Sequence, residues 1–211
     1  MIVKHCVVPA AGASSRMGEW KPLLPWRDST IIENVIAGLH RANLEAVVVA
    51  GYRGDELHAL LDGRPGVRLV DNPLWRDGML GSVLRGALEI SGEGFFVTPA
   101  DMPNVGPSLY RRLAEVFESR RAESPGREPS LFAACNGSPG HPVLVPSRLV
   151  EAMSRLDRGG KLRDFLFAGA WEPVETADPS VLSDIDTPEE YRAAMAREER
   201  NAEGPARPRP W

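Results

Sequence analysis

Close to the start of the chain, the stretch Ala10-Ala11-Gly12-Ala13-Ser14-Ser15-Arg16-Met17-Gly18-Glu19-Trp20-Lys21 directly follows an apolar run, Val3 to Pro9. A β-strand that ends in small residues leaves backbone N–H groups free to face an anion, and Gly12 and Gly18 permit positive φ and close backbone approach. Arg16 and Lys21 add two cations, so these residue types suit a phosphate site. The spacing fits neither of the common phosphate loops. Five residues separate Gly12 from Gly18, and Glu19 rather than lysine comes next, which fails both the P-loop and the dinucleotide fingerprint. A carboxylate of interest, Asp101, stands just beyond a second apolar run, Phe95-Phe96-Val97-Thr98. At a strand end it could hold Mg2+, which takes few protein carboxylates and completes its shell with phosphate oxygens and water. No Ser-His-Asp or Cys-His arrangement is evident. Chemistry at phosphate can do without one, by positioning and charge stabilisation. Lys21 and Arg16, with the loop N–H groups, are the candidates to meet the phosphates of an anionic ligand.

Loops so far apart in sequence need a scaffold that gathers them. Thr30 and Glu33 form a capping box ahead of Ile31, Ile32, Val35, Ile36 and Leu39, whose spacing marks an amphipathic helix. A buried strand at Ala46–Ala50, a helix at Asp55–Leu61, a strand at Val67–Val70, a helix at Ser82–Ile90 and the strand Phe95–Thr98 follow. This βαβα order implies a parallel sheet with right-handed crossovers. Leu109–Phe117 reads as another helix and Glu118–Pro129 as a polar surface loop. Leu131–Cys135 and Val143–Val145 flank a turn cluster, Asn136 to Gly140, as a hairpin-like excursion. Short helices at Leu149–Leu156 and Leu162–Phe167 and a closing helix at Pro188–Glu199 complete one expected domain over residues 1–200. Asn201 to Trp211, with three prolines and few apolar groups, is expected to be a mobile tail. Ligands of open parallel sheets sit beyond the carboxyl ends of the strands, where strand order reverses. The glycine loop follows the first strand, Asn72 the third and Asp101 the fourth.

Composition narrows the class. With 211 residues, 43% of them hydrophobic, the chain can bury a substantial core. A formal net charge of −4 argues against nucleic acid as a partner, which would call for a basic face. Cys6 and Cys135 lie far apart in apolar runs and read as buried thiols, neither a zinc pattern nor a disulfide framework. The apolar start is too short for a signal-peptide core, and no run reaches the roughly 18 residues of a membrane helix. A cytoplasmic location away from membranes is expected.

The loop and its continuation, Lys21-Pro22-Leu23-Leu24-Pro25, resemble the signature of the MobA-like nucleotidyltransferases, and more closely that of their MocA branch, the molybdenum cofactor cytidylyltransferases. Four segments match in the same order: Asn72-Pro73-Leu74-Trp75-Arg76-Asp77-Gly78-Met79 with Ser82, Pro99-Ala100-Asp101-Met102-Pro103, Gly140-His141-Pro142-Val143, and Asp184-Ile185-Asp186-Thr187-Pro188-Glu189. The resemblance implies an α/β, three-layer Rossmann-like fold with a mostly parallel central sheet. It implies Mg2+-dependent transfer of CMP from CTP to the phosphate of molybdopterin, with release of pyrophosphate, and a client molybdoenzyme as a further partner. By the same resemblance the base meets Ala11, Gly12, Gly81, Ser82, Pro99 and Ala100, and alanine at 10 and 11 with Pro-Ala before Asp101 points to CTP over GTP. Asp186 becomes the second metal ligand, with Asp184 as the alternative although an extended stretch is expected to face it the opposite way, and His141 meets the acceptor. Asp157-Arg158-Gly159-Gly160-Lys161 resembles a segment near the acceptor pocket. Trp20, Trp26 and Trp75 fall in loops at the ligand end, where packing of a loop lid is preferred to stacking on a base. Two other readings use the same residues: a same-fold transferase acting on another NTP or on a sugar or polyol phosphate, and a non-catalytic molybdenum cofactor accessory protein.

Overall fold

The computed structural model describes residues 2–157 and 159–202. In chain order, β1 (His5–Pro9) leads through the glycine loop to a short ribbon, β2 (Pro25–Trp26) and β3 (Ser29–Thr30), and then to α1 (Ile31–Arg41). Next come β4 (Glu45–Ala50), α2 (Gly54–Leu61), β5 (Val67–Asp71), α3 (Met79–Ala87), β6 (Gly94–Val97) and α4 (Pro107–Glu123). The remaining elements are β7 (Ser130–Cys135), β8 (Ser138–Pro146), α5 (Val150–Ser154), α6 (Leu162–Ala168), β9 (Trp171–Glu175) and α7 (Pro188–Ala202).

Seven strands make one sheet in the order β5-β4-β1-β6-β8-β7-β9, with β8 antiparallel to both its neighbours and the other pairings parallel. Alternation along the strands feeds two cores. Cys6, Val8, Val48 and Phe96 pack towards α1, α2 and α4, whereas Val7, Val49, Phe95 and Val97 pack towards α3, α5 and α6. Both faces are covered, which is why the central strands read as unbroken apolar runs. A smaller cluster of Met17, Leu24, Trp26, Ile31 and Ile185 joins the glycine-loop region to α7. The capping box at Thr30 and Glu33 is formed as the spacing suggests.

Several details depart from the sequence reading, among them β8, which begins at Ser138 inside the expected turn cluster. Helix α4 runs six residues past Phe117 into the supposed loop, with Arg120 and Arg121 bound to Glu172 and Glu93 on its outer side. Helix α3 begins at Met79 and ends at Ala87, three residues earlier at each end than the apolar spacing suggested. Strand β9, with Pro173 among its three exposed residues at the sheet edge, lacks the apolar run that marks its neighbours. Of the expected tail, Asn201 and Ala202 belong to α7, and residues 203–211 lie outside the described residues.

Candidate active site

Strands β1, β4 and β5 are laid down in one direction and β6 on the other side of β1, so the order reverses between β1 and β6. There the loops after the two strands face each other across a cleft of about 530 Å3, within the range of small-molecule sites. One end is built from the glycine loop. Ala10 N–H donates to the Val49 carbonyl (2.9 Å) and Tyr52 N–H to the Ala11 carbonyl (3.0 Å), locking the loop's base to the end of β4. Trp20 Nε1 donates to the Gly12 carbonyl (3.0 Å) and the Lys21 N–H to Ser14 Oγ (3.2 Å). Positive φ falls on Ser14 (52°) and Gly18 (76°), and not on Gly12. Gly12 lines the cleft, and a Cβ there would meet no protein atom within 4 Å. Among the described residues, the N–H groups from Gly12 to Arg16 donate to no protein acceptor, as an anion cradle requires.

Lys21 sits at the foot of this loop on a single 3-10 turn, only 8% exposed. Its Nζ donates to Asp101 Oδ2 (2.8 Å) and Asp186 Oδ1 (2.5 Å), while Arg16 Nη2 reaches Asp186 Oδ2 (2.6 Å). Burial by itself would lower the lysine's pKa, but the two carboxylates override it and raise the pKa above its ordinary value. Burial likewise works against the Asp186 carboxylate, and Lys21 and Arg16 overcome it, holding that pKa low. Asp101 Oδ1 is buried without a hydrogen-bond partner, an acceptor oxygen still available to a cation.

Asp184 does not face away. It lines the same cleft as Asp186, and burial, followed by the charges of Asp186 and Asp101, raises its pKa. Residues two apart in an extended segment share a side, so Ile185 between them is the one that turns inward, to the cluster with Trp26 and Met17.

On the opposite wall, Asn72 Nδ2 donates to the buried Ser82 Oγ (3.0 Å) and Asn72 Oδ1 accepts from Leu74 N–H (3.0 Å), tying the β5 loop to the first turns of α3. Ser82, Pro99 and Ala100 line the cleft with Ser14 and Ser15, whereas Ala13 and Gly81 stand outside its lining. Trp75 lines it too and meets Tyr52 edge-on (5.7 Å between ring centroids), while Trp20 and Trp26 are buried beneath the loops.

The far end is made by the β7–β8 hairpin, the turn at residues 179–182, and α6. A Cβ on Gly140 would lie 2.0 Å from the Val181 carbonyl oxygen, so only glycine lets that turn close over β8. Partly buried His141 lines this end beside Arg163, and burial, then the positive charge of Arg163, push its pKa down to about 4. No motif in the sequence marks Arg163; the period-two alternation of Asp184-Ile185-Asp186 places Asp184 with Asp186, against the expectation above, and Asn72, expected after the third strand, buttresses the wall without lining the cleft. In the segment 157–161, Arg158 lies outside the described residues and the other four do not line the cleft.

A sheet of this order, with charges suited to a triphosphate at its switch point, belongs to the nucleotide-handling α/β enzymes. The chain is a member of the MobA-like NTP transferase family, whose domain matches residues 6–174. It is 32% identical over 193 residues to the molybdenum cofactor cytidylyltransferase of Escherichia coli K12, covering 91% of this chain and 95% of that one. To the molybdenum cofactor guanylyltransferase of Xanthomonas euvesicatoria it is 37% identical over 114 residues, 54% of this chain and 55% of that one. Among solved structures, a nucleotidyl transferase from Methanothermobacter thermautotroptrophicus superposes with a TM-score of 0.76 at 25% identity, covering 95% and 99% of the two chains. A Mycobacterium tuberculosis H37Rv protein solved in complex with manganese shares the fold, with a TM-score of 0.69 at 21% identity, covering 93% and 99%. Among the described residues no helix is long and apolar enough to cross a membrane.

Proposed function

We propose that the protein transfers CMP from CTP to the phosphate of molybdopterin, releasing pyrophosphate, with Mg2+ as cofactor and residues 1–200 acting as one catalytic unit. The observation that carries this reading is the charge arrangement at the foot of the glycine loop, where Lys21 is fixed between Asp101 and Asp186. An oxygen of the acceptor's phosphate monoester attacks the α-phosphorus and forms the new P–O bond, while the bond to the bridging oxygen of the β-phosphate breaks and pyrophosphate departs. That nucleophile is largely dianionic above its second pKa of about 6, so no protein base takes part. Lys21, kept protonated by its two carboxylates, stabilises charge growing on the α-phosphate. Arg16 and the unpaired loop N–H groups from Gly12 to Arg16 hold the departing phosphates. Asp101 and Asp186 are the hard oxygen donors that Mg2+ prefers, and the unpartnered Asp101 Oδ1 fits such an ion. When bound, the ion would neutralise charge on the triphosphate.

The choice of CTP rests on length of likeness: the cytidylyltransferase aligns along 91% of the chain, the Xanthomonas guanylyltransferase along 54%. The pocket wall around Ala10, Ala11, Pro99, Ala100 and Ser82 is read as the cytosine site, with His141 at the acceptor end. The test is pyrophosphate release from each NTP with Mg2+, with and without molybdopterin. Acceptor-dependent release is expected, with CTP preferred. A guanine in a site that pairs the cytosine edge leaves buried groups unsatisfied at about 1–3 kcal/mol each. Equal kcat/KM for CTP and GTP would overturn the base assignment, and release without acceptor dependence would overturn the acceptor.

A further inference from the structure

Three cations line the cleft: Arg16, Lys21 and Arg163. The first two are spoken for, each bound to Asp186 and the lysine also to Asp101. Arg163 has no carboxylate partner among the described residues. Its guanidinium instead lies over the Phe167 ring, 5.0 Å from the centroid. That ring is itself wedged between Phe132 and Trp171, at 4.9 and 4.8 Å. A cation seated on a packed aromatic platform is restrained without being neutralised, and its fork of donors stays free. Its field reaches the cleft interior, because it contributes to the lowered pKa of His141.

We propose that Arg163 is the acceptor-phosphate clamp, a specificity-determining residue that binds a phosphate monoester at the end of the cleft away from the glycine loop. This rests on the transferase reading above and adds the group that receives the second anionic substrate. A planar guanidinium matches two phosphate oxygens at once, which fixes orientation as well as charge. Neutral His141 beside it offers one hydrogen-bond donor without a second full charge to repel the arginine. The nucleophile would thus approach the α-phosphorus already oriented, from the side opposite the pyrophosphate that leaves along the glycine loop. The division also explains why this cation alone lacks a carboxylate: an internal acid would compete with the acceptor for it.

The test uses the full chain saturated with CTP and Mg2+, titrated calorimetrically with inorganic phosphate as the probe, for the parent, Arg163→Ala and Arg163→Lys. Loss of one charged hydrogen-bonding fork corresponds to roughly a ten- to hundredfold weaker phosphate affinity in Arg163→Ala. Arg163→Lys, which keeps charge but not the fork, is expected to fall between, and CTP affinity stays at the parent value in both. In turnover, KM for molybdopterin rises while KM for CTP does not. Unchanged phosphate affinity in both variants, a parallel loss of CTP affinity, or a parent that binds no phosphate beside CTP would each overturn the clamp. A parent that binds phosphate through Arg163 yet transfers nothing to molybdopterin would uphold the clamp and overturn the acceptor assignment.

Discussion

The two ends of the cleft are built on different terms. At the glycine-loop end, each contributing segment leaves a parallel strand or its neighbouring turn, and every cation is already matched to a carboxylate. At the far end, the walls are an antiparallel hairpin and a short helix, and the cation rests on an aromatic ring instead. Matched charges keep a site organised when empty, at the cost of having to be exchanged when ligand arrives. Unmatched charge offers immediate attraction and needs a mechanical support to stay in place. The first arrangement suits chemistry shared by many transferases, the second suits discrimination between acceptors.

The largest expected effect comes from breaking the matched end. Lys21→Ala should lower kcat by about two orders of magnitude or more, the scale of losing a charged donor that acts in the transition state. Asp101→Asn should do at least as much, and Asp186→Asn less, all with acceptor affinity nearly unchanged. Single-turnover CMP transfer measured beside acceptor binding reads both quantities, and a Lys21→Ala variant turning over at the parent rate would remove the lysine from the mechanism.

An intermediate effect is expected from Gly140→Ala at the other end. Its new methyl group would meet backbone, not a yielding side chain, so the turn at residues 179–182 must lift from β8. A loss of roughly 1–3 kcal/mol in urea unfolding is expected, with KM for the acceptor rising more than KM for CTP. Unaltered stability together with unaltered KM values would show that this contact does not shape the far end.

The smallest effect is a pH dependence. His141 has a folded pKa of about 4, below the value near 6.5 of an exposed histidine. Between those values the unfolded chain takes a proton that the folded chain refuses, so His141 makes stability fall as pH drops from about 6.5 towards 4, and contributes no slope above 7. Melting temperatures of the parent and His141→Gln at pH 7.5 and pH 5 should therefore show the smaller acid loss in the variant. Equal losses would place the histidine in a more solvated setting.

Much of the matched end was legible in the sequence because it follows buried parallel strands, whose continuous apolar runs announce where a strand stops and a loop begins. Lys21, Arg16 and Asp101 stand just beyond such runs. Asp184 was misread through the sense of an alternation that in fact places it with Asp186. Arg163 was silent because its neighbours, Leu162 and Leu166, mark only a helix, and its platform draws Phe132 and Trp171 from two separate strands. Strand β9 was missed for a related reason: an edge strand needs pairing on one side only, and its Pro173 and glutamates disguise it. The outer half of α4 was missed because its register is carried by ion pairs to other elements, which periodicity of apolar residues cannot reveal.

The bond between Lys21 and Asp186 spans 165 positions of sequence. A chain emerging from the ribosome can complete β1, β4, β5 and β6 and even expose the glycine loop long before Asp186 has been made. Until then Lys21 has one carboxylate instead of two, Arg16 has none, and Ile185 has not yet closed the small cluster beneath the loop. The glycine loop is therefore made early, and the balanced set of charges around Lys21 is finished only when the segment ahead of the last helix has been made.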